Sequence, residues 1–276
     1  MNLKAYAKLN LTLDILGKRD DGYHELSSVM QEIEIADELH FEILDTQDVL
    51  FECNIPGLQN QDNLVVRAAL LLQEVFQLSR GAKITLTKNI PVGAGLGGGS
   101  SDAASALKGL SDIWGLHLGT KDLLKLASEL GSDVPFFIEG NTCLVRGRGE
   151  FVLPIEAPSF FYVLVVPDFP IRTPEAYALF DRAPRERVSR STEELLVGFE
   201  PKKFHNDFEG VIARQHPKVA AIKEKLLKAG AGNALLTGSG SGVFGVFANQ
   251  ESAKIAFDAL KGDYPKTYQT MTRQHS

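Results

Sequence analysis

Pro91-Val92-Gly93-Ala94-Gly95-Leu96-Gly97-Gly98-Gly99-Ser100-Ser101-Asp102 packs five glycines into seven residues, then two hydroxyls, an acid and a helix-forming run. Glycine visits positive φ without steric cost and lets main-chain N–H groups approach a ligand closely. The start of the following helix leaves donors unpaired and carries a partial positive charge. The stretch therefore reads as an anion cradle suited to phosphate. So many glycines in a turn with no ligand would lose backbone entropy on folding with no compensating gain.

The flanks narrow the kind of cradle. Ala82 to Leu86 before it has the pattern of a strand, and Ala103, Ala104, Leu107, Leu110 and Trp114 after it form a helical stripe. Gly93 to Gly98 fits G-x-G-x-x-G between strand and helix, but the ribose-binding acid of a dinucleotide fold is missing: Asp112, at about the right distance, falls inside the helical pattern. A Walker A loop needs Gly-Lys-Ser/Thr, whereas Gly99 is followed by Ser100. The HRD and DFG strings of a eukaryotic-type protein kinase are absent.

Further out, Leu9 to Leu16 and Ile33 to Ile43 alternate as half-buried strands, joined by a turn at Asp20-Asp21-Gly22-Tyr23-His24. Asn63 to Phe76 has one apolar stripe of a helix, and Thr120 reads as the N-cap of a helix running to Gly131. Pro154 to Pro158 reads as a linker before the apolar strand Phe160 to Val166, which divides the chain into domains at 1–155 and 156–276. The second half predicts helices at Pro174 to Phe180 and Thr192 to Val197, and one from Pro217 closed by Gly230. Strands flank Thr237 to Gly242, a helix covers Ser252 to Leu260, and a last strand covers Lys266 to Thr272. Without the extra helices the order is β-α-β-β-α-β, a split ferredoxin-like arrangement, so the fold class is α+β.

Composition excludes several function classes. A chain of 276 residues with 44% hydrophobic residues can bury a substantial core. A net charge of -6 argues against nucleic acid as a partner, which calls for a basic footprint. There is no run of about 18 apolar residues and no membrane partner is expected. Cys53 and Cys143 lie in apolar strand-like segments without zinc or disulfide spacing, and both read as reduced core residues. The expectation is a soluble, cytoplasmic protein acting on a small molecule, as monomer or homodimer. His40, His117, His205, His216 and His275 show no metal-ligand spacing, and no metal-ligand residues are assigned.

The loop resembles the Pro-x3-Gly-Leu-Gly-Ser/Gly-Ser-Ser signature of the GHMP kinases, small-molecule kinases that include galactokinase, homoserine kinase and mevalonate kinase. Ala7-Lys8-Leu9-Asn10 and Leu236-Thr237-Gly238-Ser239-Gly240-Ser241-Gly242 are similar to two further motifs of that family, in the right order. The resemblance spans nearly the whole chain. It implies an ATP-dependent phosphotransferase with a ribosomal-protein-S5-like N-terminal domain and a ferredoxin-like C-terminal domain. Arg19-Asp20-Asp21-Gly22-Tyr23-His24-Glu25-Leu26, Asp62-Asn63-Leu64-Val65 and Gly131-Ser132-Asp133-Val134-Pro135-Phe136-Phe137 look like one branch of it. That branch, in non-mevalonate isoprenoid biosynthesis, phosphorylates the 2-hydroxyl of 4-diphosphocytidyl-2-C-methyl-D-erythritol. Another GHMP kinase would share the loop without the Asp-Gly-Tyr-His string, and a silent nucleotide sensor is expected to lack Lys8 or Asp133.

The resemblance implies roles residue by residue, each beside a plainer reading. Asp133 is the candidate base and Lys8 the cation beside it; by residue type alone, Asp133 is equally a helix N-cap and Lys8 a solvated strand charge. Phosphoryl transfer needs positioning, charge stabilisation and a proton acceptor. Pro91, Val92, Gly93, Ala94, Gly95, Leu96, Gly97, Gly98, Gly99, Ser100, Ser101 and Asn63 are expected at ATP, with a hydroxyl or acid near Mg²⁺. Tyr23 and His24 are expected at the cytosine base, although Asp-Gly with two rings also makes a hairpin with a packed tyrosine. Met30 stands where the family often has an aromatic, and its thioether can cover one ring face. Asn10, Thr173, Gly238 and Ser239 are expected at the acceptor; the last two equally fit a hairpin turn. Asp102 reads as an acid favouring the helix dipole, and Arg146 and Arg148 as nucleotide contacts or surface charges.

Overall fold

The computed structural model describes residues 1–184 and 190–274. The chain begins with β1 (Asn2–Lys18), β2 (His24–Leu44), β3 (Val49–Cys53), α1 (Leu64–Phe76), β4 (Gly81–Thr87), α2 (Gly98–Ile113), α3 (Thr120–Leu130) and α4 (Val134–Glu139). It continues through β5 (Thr142–Gly147), β6 (Phe151–Pro154), β7 (Phe161–Val165), α5 (Thr173–Arg182) and α6 (Ser191–Val197). The remaining elements are β8 (His205–Asn206), α7 (Glu209–Gln215), α8 (Pro217–Lys228), β9 (Asn233–Leu236), β10 (Val243–Phe247), α9 (Gln250–Leu260) and β11 (Thr267–Met271).

These strands form two sheets. In the first the order is β3-β4-β2-β1-β8, with β5 on β2 and β6 on β5; in the second it is β11-β7-β10-β9, all antiparallel. The second order is that of the expected ferredoxin-like unit. β2 is long enough to pair twice along one edge, with β4 through residues 38–44 and with β5 through residues 26–31.

The two strands of the first hairpin run further than their alternation indicates. From residue 26 to 33 both faces of β2 are buried, because α-helices cover one face and the second sheet the other. Alternation therefore marks only the partly exposed ends. Period two also divides β7: Tyr162 and Leu164 enter the layer between the sheets, while Val163 and Val165 face α5, α8 and α9. Gln31 joins the halves by accepting hydrogen bonds from Tyr162 Oη at 2.6 Å and Thr272 Oγ1 at 2.7 Å.

Helix ends follow local chemistry. Asn63 caps α1 by accepting from the Val65 N–H at 2.9 Å, and Gln77 ends it in the left-handed region. Thr120 is not the cap of α3: the chain enters through Gly119, and Thr120 is already helical. Two elements, β8 and α7, have no signal in the sequence because the first is two residues long and the second only seven. Both cysteines are free; Cys143 is buried and Cys53 half-buried on the edge strand β3. Among the described residues no helix is long and apolar enough to cross a membrane.

Candidate active site

One cleft of about 450 Å³ gathers the loop, the start of α2, residues of β1 and β2, and the turn between β9 and β10. In the loop Gly93, Gly95 and Gly97 adopt φ of +71°, +75° and +70°, while Gly98 and Gly99 open α2. Gly95 has no alternative residue: a Cβ there would lie 2.1 Å from the Thr237 carbonyl oxygen. The loop thus lies backbone to backbone on the turn between β9 and β10, and the Gly242 N–H donates to the Ala94 carbonyl at 3.1 Å. That turn is a wall of the cleft and not an isolated hairpin.

Lys8 and Asn10 lie two apart on β1 and so share a face. Lys8 is 3% exposed, and its ammonium donates to Asn10 Oδ1 at 2.5 Å and to the Gly95 carbonyl at 2.8 Å. Burial lowers its pKa, against an opposing pull from Asp133. The reading of Lys8 as a solvated charge is therefore excluded. Asp133 precedes α4 without a side-chain cap hydrogen bond, so its carboxylate is not spent on the helix.

Behind the loop Lys88 lies between two carboxylates, Asp37 and Asp102, the latter at 2.7 Å. Burial disfavours the Lys88 ammonium, but Asp102 and Asp37 together outweigh it and raise its pKa. Burial pushes the Asp102 carboxyl up to about 7, opposed by Lys88 and helped by Asp37. Its Oδ1 has no hydrogen-bond partner. The sequence marked Asp102 only as a dipole-friendly acid; its partners are remote in the chain and gave no local signal.

Residues 91–100 and Asn63 border the cleft, whereas Ser101 is buried within α2 and does not. Lys8, Asn10, Met30, Asp133, Thr173, Gly238 and Ser239 also border it. Thr173 Oγ1 and Ser239 Oγ lie 3.1 Å apart. Tyr23 and His24 are not in the wall: Tyr23 is 51% exposed under Arg148, whose guanidinium carbon is 5.1 Å from the ring centroid. His24 stacks on Tyr177 at 4.4 Å and bonds Asp181 through Nε2 at 2.7 Å. Tyr177 does border the cleft, and nothing in the sequence near it signalled that. Arg146 and Arg148 lie outside the wall, and His275 lies outside the described residues.

Among the described residues, Asp14, His205 and Asp207 come close enough to share an ion. Their oxygens are already engaged: Asp14 by the Ser191 and Thr192 N–H groups and the Ser191 hydroxyl, Asp207 by the Ile15 N–H and His205. They serve as a structural joint between β1, α6 and β8.

An anion cradle with a buried ammonium and an uncommitted carboxylate at its end has the parts for moving a phosphoryl group onto a hydroxyl. The family model described as the GHMP kinases N terminal domain matches residues 63–141, and that of the GHMP kinases C terminal matches residues 199–266. The chain is 41% identical over 272 residues to the 4-diphosphocytidyl-2-C-methyl-D-erythritol kinase of Caldanaerobacter subterraneus subsp. tengcongensis, covering 96% of this chain and 94% of that one. A crystal structure of 4-(cytidine 5'-diphospho)-2C-methyl-D-erythritol kinase superposes with a TM-score of 0.84 at 34% identity, covering 99% of this chain and 100% of the other. Homoserine kinase from Cytophaga hutchinsonii shares the fold at a TM-score of 0.74 and 18% identity, over 99% and 94% of the two chains. With both halves of the fold and the full length accounted for, the chain belongs to the GHMP kinases, in the 4-diphosphocytidyl-2-C-methyl-D-erythritol kinase family.

Proposed function

We propose that the protein transfers the γ-phosphate of ATP to the 2-hydroxyl of 4-diphosphocytidyl-2-C-methyl-D-erythritol. The observation that carries this reading is the meeting of the phosphate loop, a buried Lys8 and a free Asp133 in one cleft. The acceptor oxygen bonds to the γ-phosphorus as the bond to the β,γ-bridging oxygen breaks, and ADP leaves. Asp133 takes the hydroxyl proton and Lys8 offsets charge on the transferring group. Main-chain N–H groups of residues 93–99 hold the triphosphate, and Asn63 sits at the nucleotide end.

The residues also fit Mg²⁺. Two carboxylates share one ammonium at Lys88, and the unpartnered Asp102 Oδ1 lies beside a loop built for anions. Ser100 and Asp102 would hold the ion, which when bound neutralises phosphate charge. The cytosine base is assigned to Tyr177 and Met30 on the cleft wall, with His24 stacked on Tyr177 from outside the wall and Tyr23 beyond it, and the hydroxyl-bearing chain to Asn10, Thr173, Gly238 and Ser239. We divide the roles between a nucleotide-binding domain at 1–155 and a C-terminal domain at 156–276, with the cytoplasm as the place of action. The ³¹P spectrum of the product tests the reaction: a new phosphomonoester on the cytidyl compound supports it, and ADP formed with only inorganic phosphate refutes it.

A further inference from the structure

Lys8 is fixed from two sides. An ammonium has three N–H donors. Two go to neutral acceptors, Asn10 Oδ1 and the Gly95 carbonyl, and the third is left for the cleft. Each acceptor is itself held. Asn10 Nδ2 donates to Ser28 Oγ at 2.9 Å, and Ser28 Oγ donates to the Thr12 carbonyl at 2.5 Å, so the amide turns its oxygen toward Lys8. The Gly95 carbonyl also accepts from Thr237 Oγ1 at 3.3 Å, and that hydroxyl accepts from the Asn10 N–H at 3.3 Å. Ser28 and Thr237 are fully buried and neither borders the cleft.

We infer that Ser28 and Thr237 are positioning residues, a two-armed brace that aims the remaining N–H of Lys8 at the reacting oxygens. Thr237 does this from the turn between β9 and β10, which ties the acceptor wall to the phosphate loop. The inference rests on the proposed role of Lys8. A misplacement of about 1 Å in such a group can cost roughly a hundredfold in rate.

Thr237→Val removes the hydroxyl at nearly constant shape, Thr237→Ser keeps it, and Ser28→Ala releases the other arm. For Thr237→Val and Ser28→Ala, kcat is expected to fall about ten- to a hundredfold with both KM values within about threefold, and Thr237→Ser to recover most of the rate. Unchanged kcat, or a raised KM for ATP at constant kcat, overturns the inference. Where Thr237→Val fails to fold, Ser28→Ala decides by the same criteria. A second arm needs no substrate: the side-chain ¹⁵N signal of the Lys8 ammonium, identified by its loss in Lys8→Arg, is expected sharp and slowly exchanging in the parent and broadened in Ser28→Ala. A signal missing from the parent or unaltered in the variant contradicts the brace, even if the proposed substrate proves wrong.

Discussion

Lys8 and Asp133 attract one another across the cleft without forming an ion pair: the ammonium is tied to Asn10 and Gly95, and the carboxylate stays uncommitted. A direct pair would neutralise both groups. Held apart, they leave both charges facing the cleft, as the proposed transfer requires of a proton acceptor and a positive charge.

Removing the charge of Asp133 separates chemistry from binding. Asp133→Asn is expected to lower kcat by about a thousandfold while the ATP dissociation constant stays within about threefold, since general-base contributions run from roughly 10² to 10⁴. Retained turnover would remove Asp133 from the proton-accepting role.

Lys8 is expected to set an alkaline limit. Burial lowers its pKa, so its proton is lost at a pH below that of an ordinary lysine. The kcat profile is expected to fall on its basic side as Lys8 becomes neutral. In Lys8→Arg that limb should vanish at a lower overall rate, because arginine stays charged. Identical limbs in parent and variant would assign the titration to another group.

Asp102 makes stability depend on pH in a stated direction. The unfolded carboxyl releases its proton near pH 4, as aspartates do at about 3.9. The folded one holds it to about 7. The folded state therefore binds more protons between these values, and stability falls as pH rises through that window. Asp102→Asn removes this dependence, so its stability relative to the parent, measured by denaturant unfolding, should rise from pH 4 to 7 and then level off. A flat or falling difference would show that the buried triad is not carrying the extra proton.

Gly95→Ala tests the backbone contact between the two loops. The new Cβ meets the Thr237 carbonyl at 2.1 Å on a residue with φ of +75°. ATP affinity should drop at least about tenfold, since strain and clash together exceed the roughly 1–2 kcal/mol cost of a left-handed residue alone. Titration with a fluorescent nucleotide reads it, and unchanged affinity would show that the loop can move without loss.

Tyr177→Ala tests the proposed acceptor end. The stack on His24 predicts a KM for the cytidyl substrate raised about tenfold with the KM for ATP unchanged. Equal loss for both substrates would make Tyr177 a general support of the cleft.

Much of this site was legible where the signal is local. Gly93, Gly95 and Gly97 announce positive φ, the stripe from Leu64 to Val75 a helix, and the order of elements after Phe160 the second sheet. Contacts between remote residues were not legible. Lys8 reads as a surface charge until the glycine loop and the β9–β10 turn close over it, and Asp102 as a dipole partner until Lys88 reaches it. The extended strand β2 hides its pattern because both its faces are covered. Tyr177 acquires its place only when α5 packs against the hairpin that carries His24.

Everything assigned to this cleft turns on the identity of the acceptor. ADP release should be measured with ATP, Mg²⁺ and the purified protein, offering 4-diphosphocytidyl-2-C-methyl-D-erythritol, mevalonate and homoserine in turn. We predict a kcat/KM for the cytidyl compound at least about a thousandfold above the other two, as expected when a site built for a polar base meets acceptors lacking it. Comparable turnover of mevalonate or homoserine, or none with the cytidyl compound, would rule out the proposed acceptor.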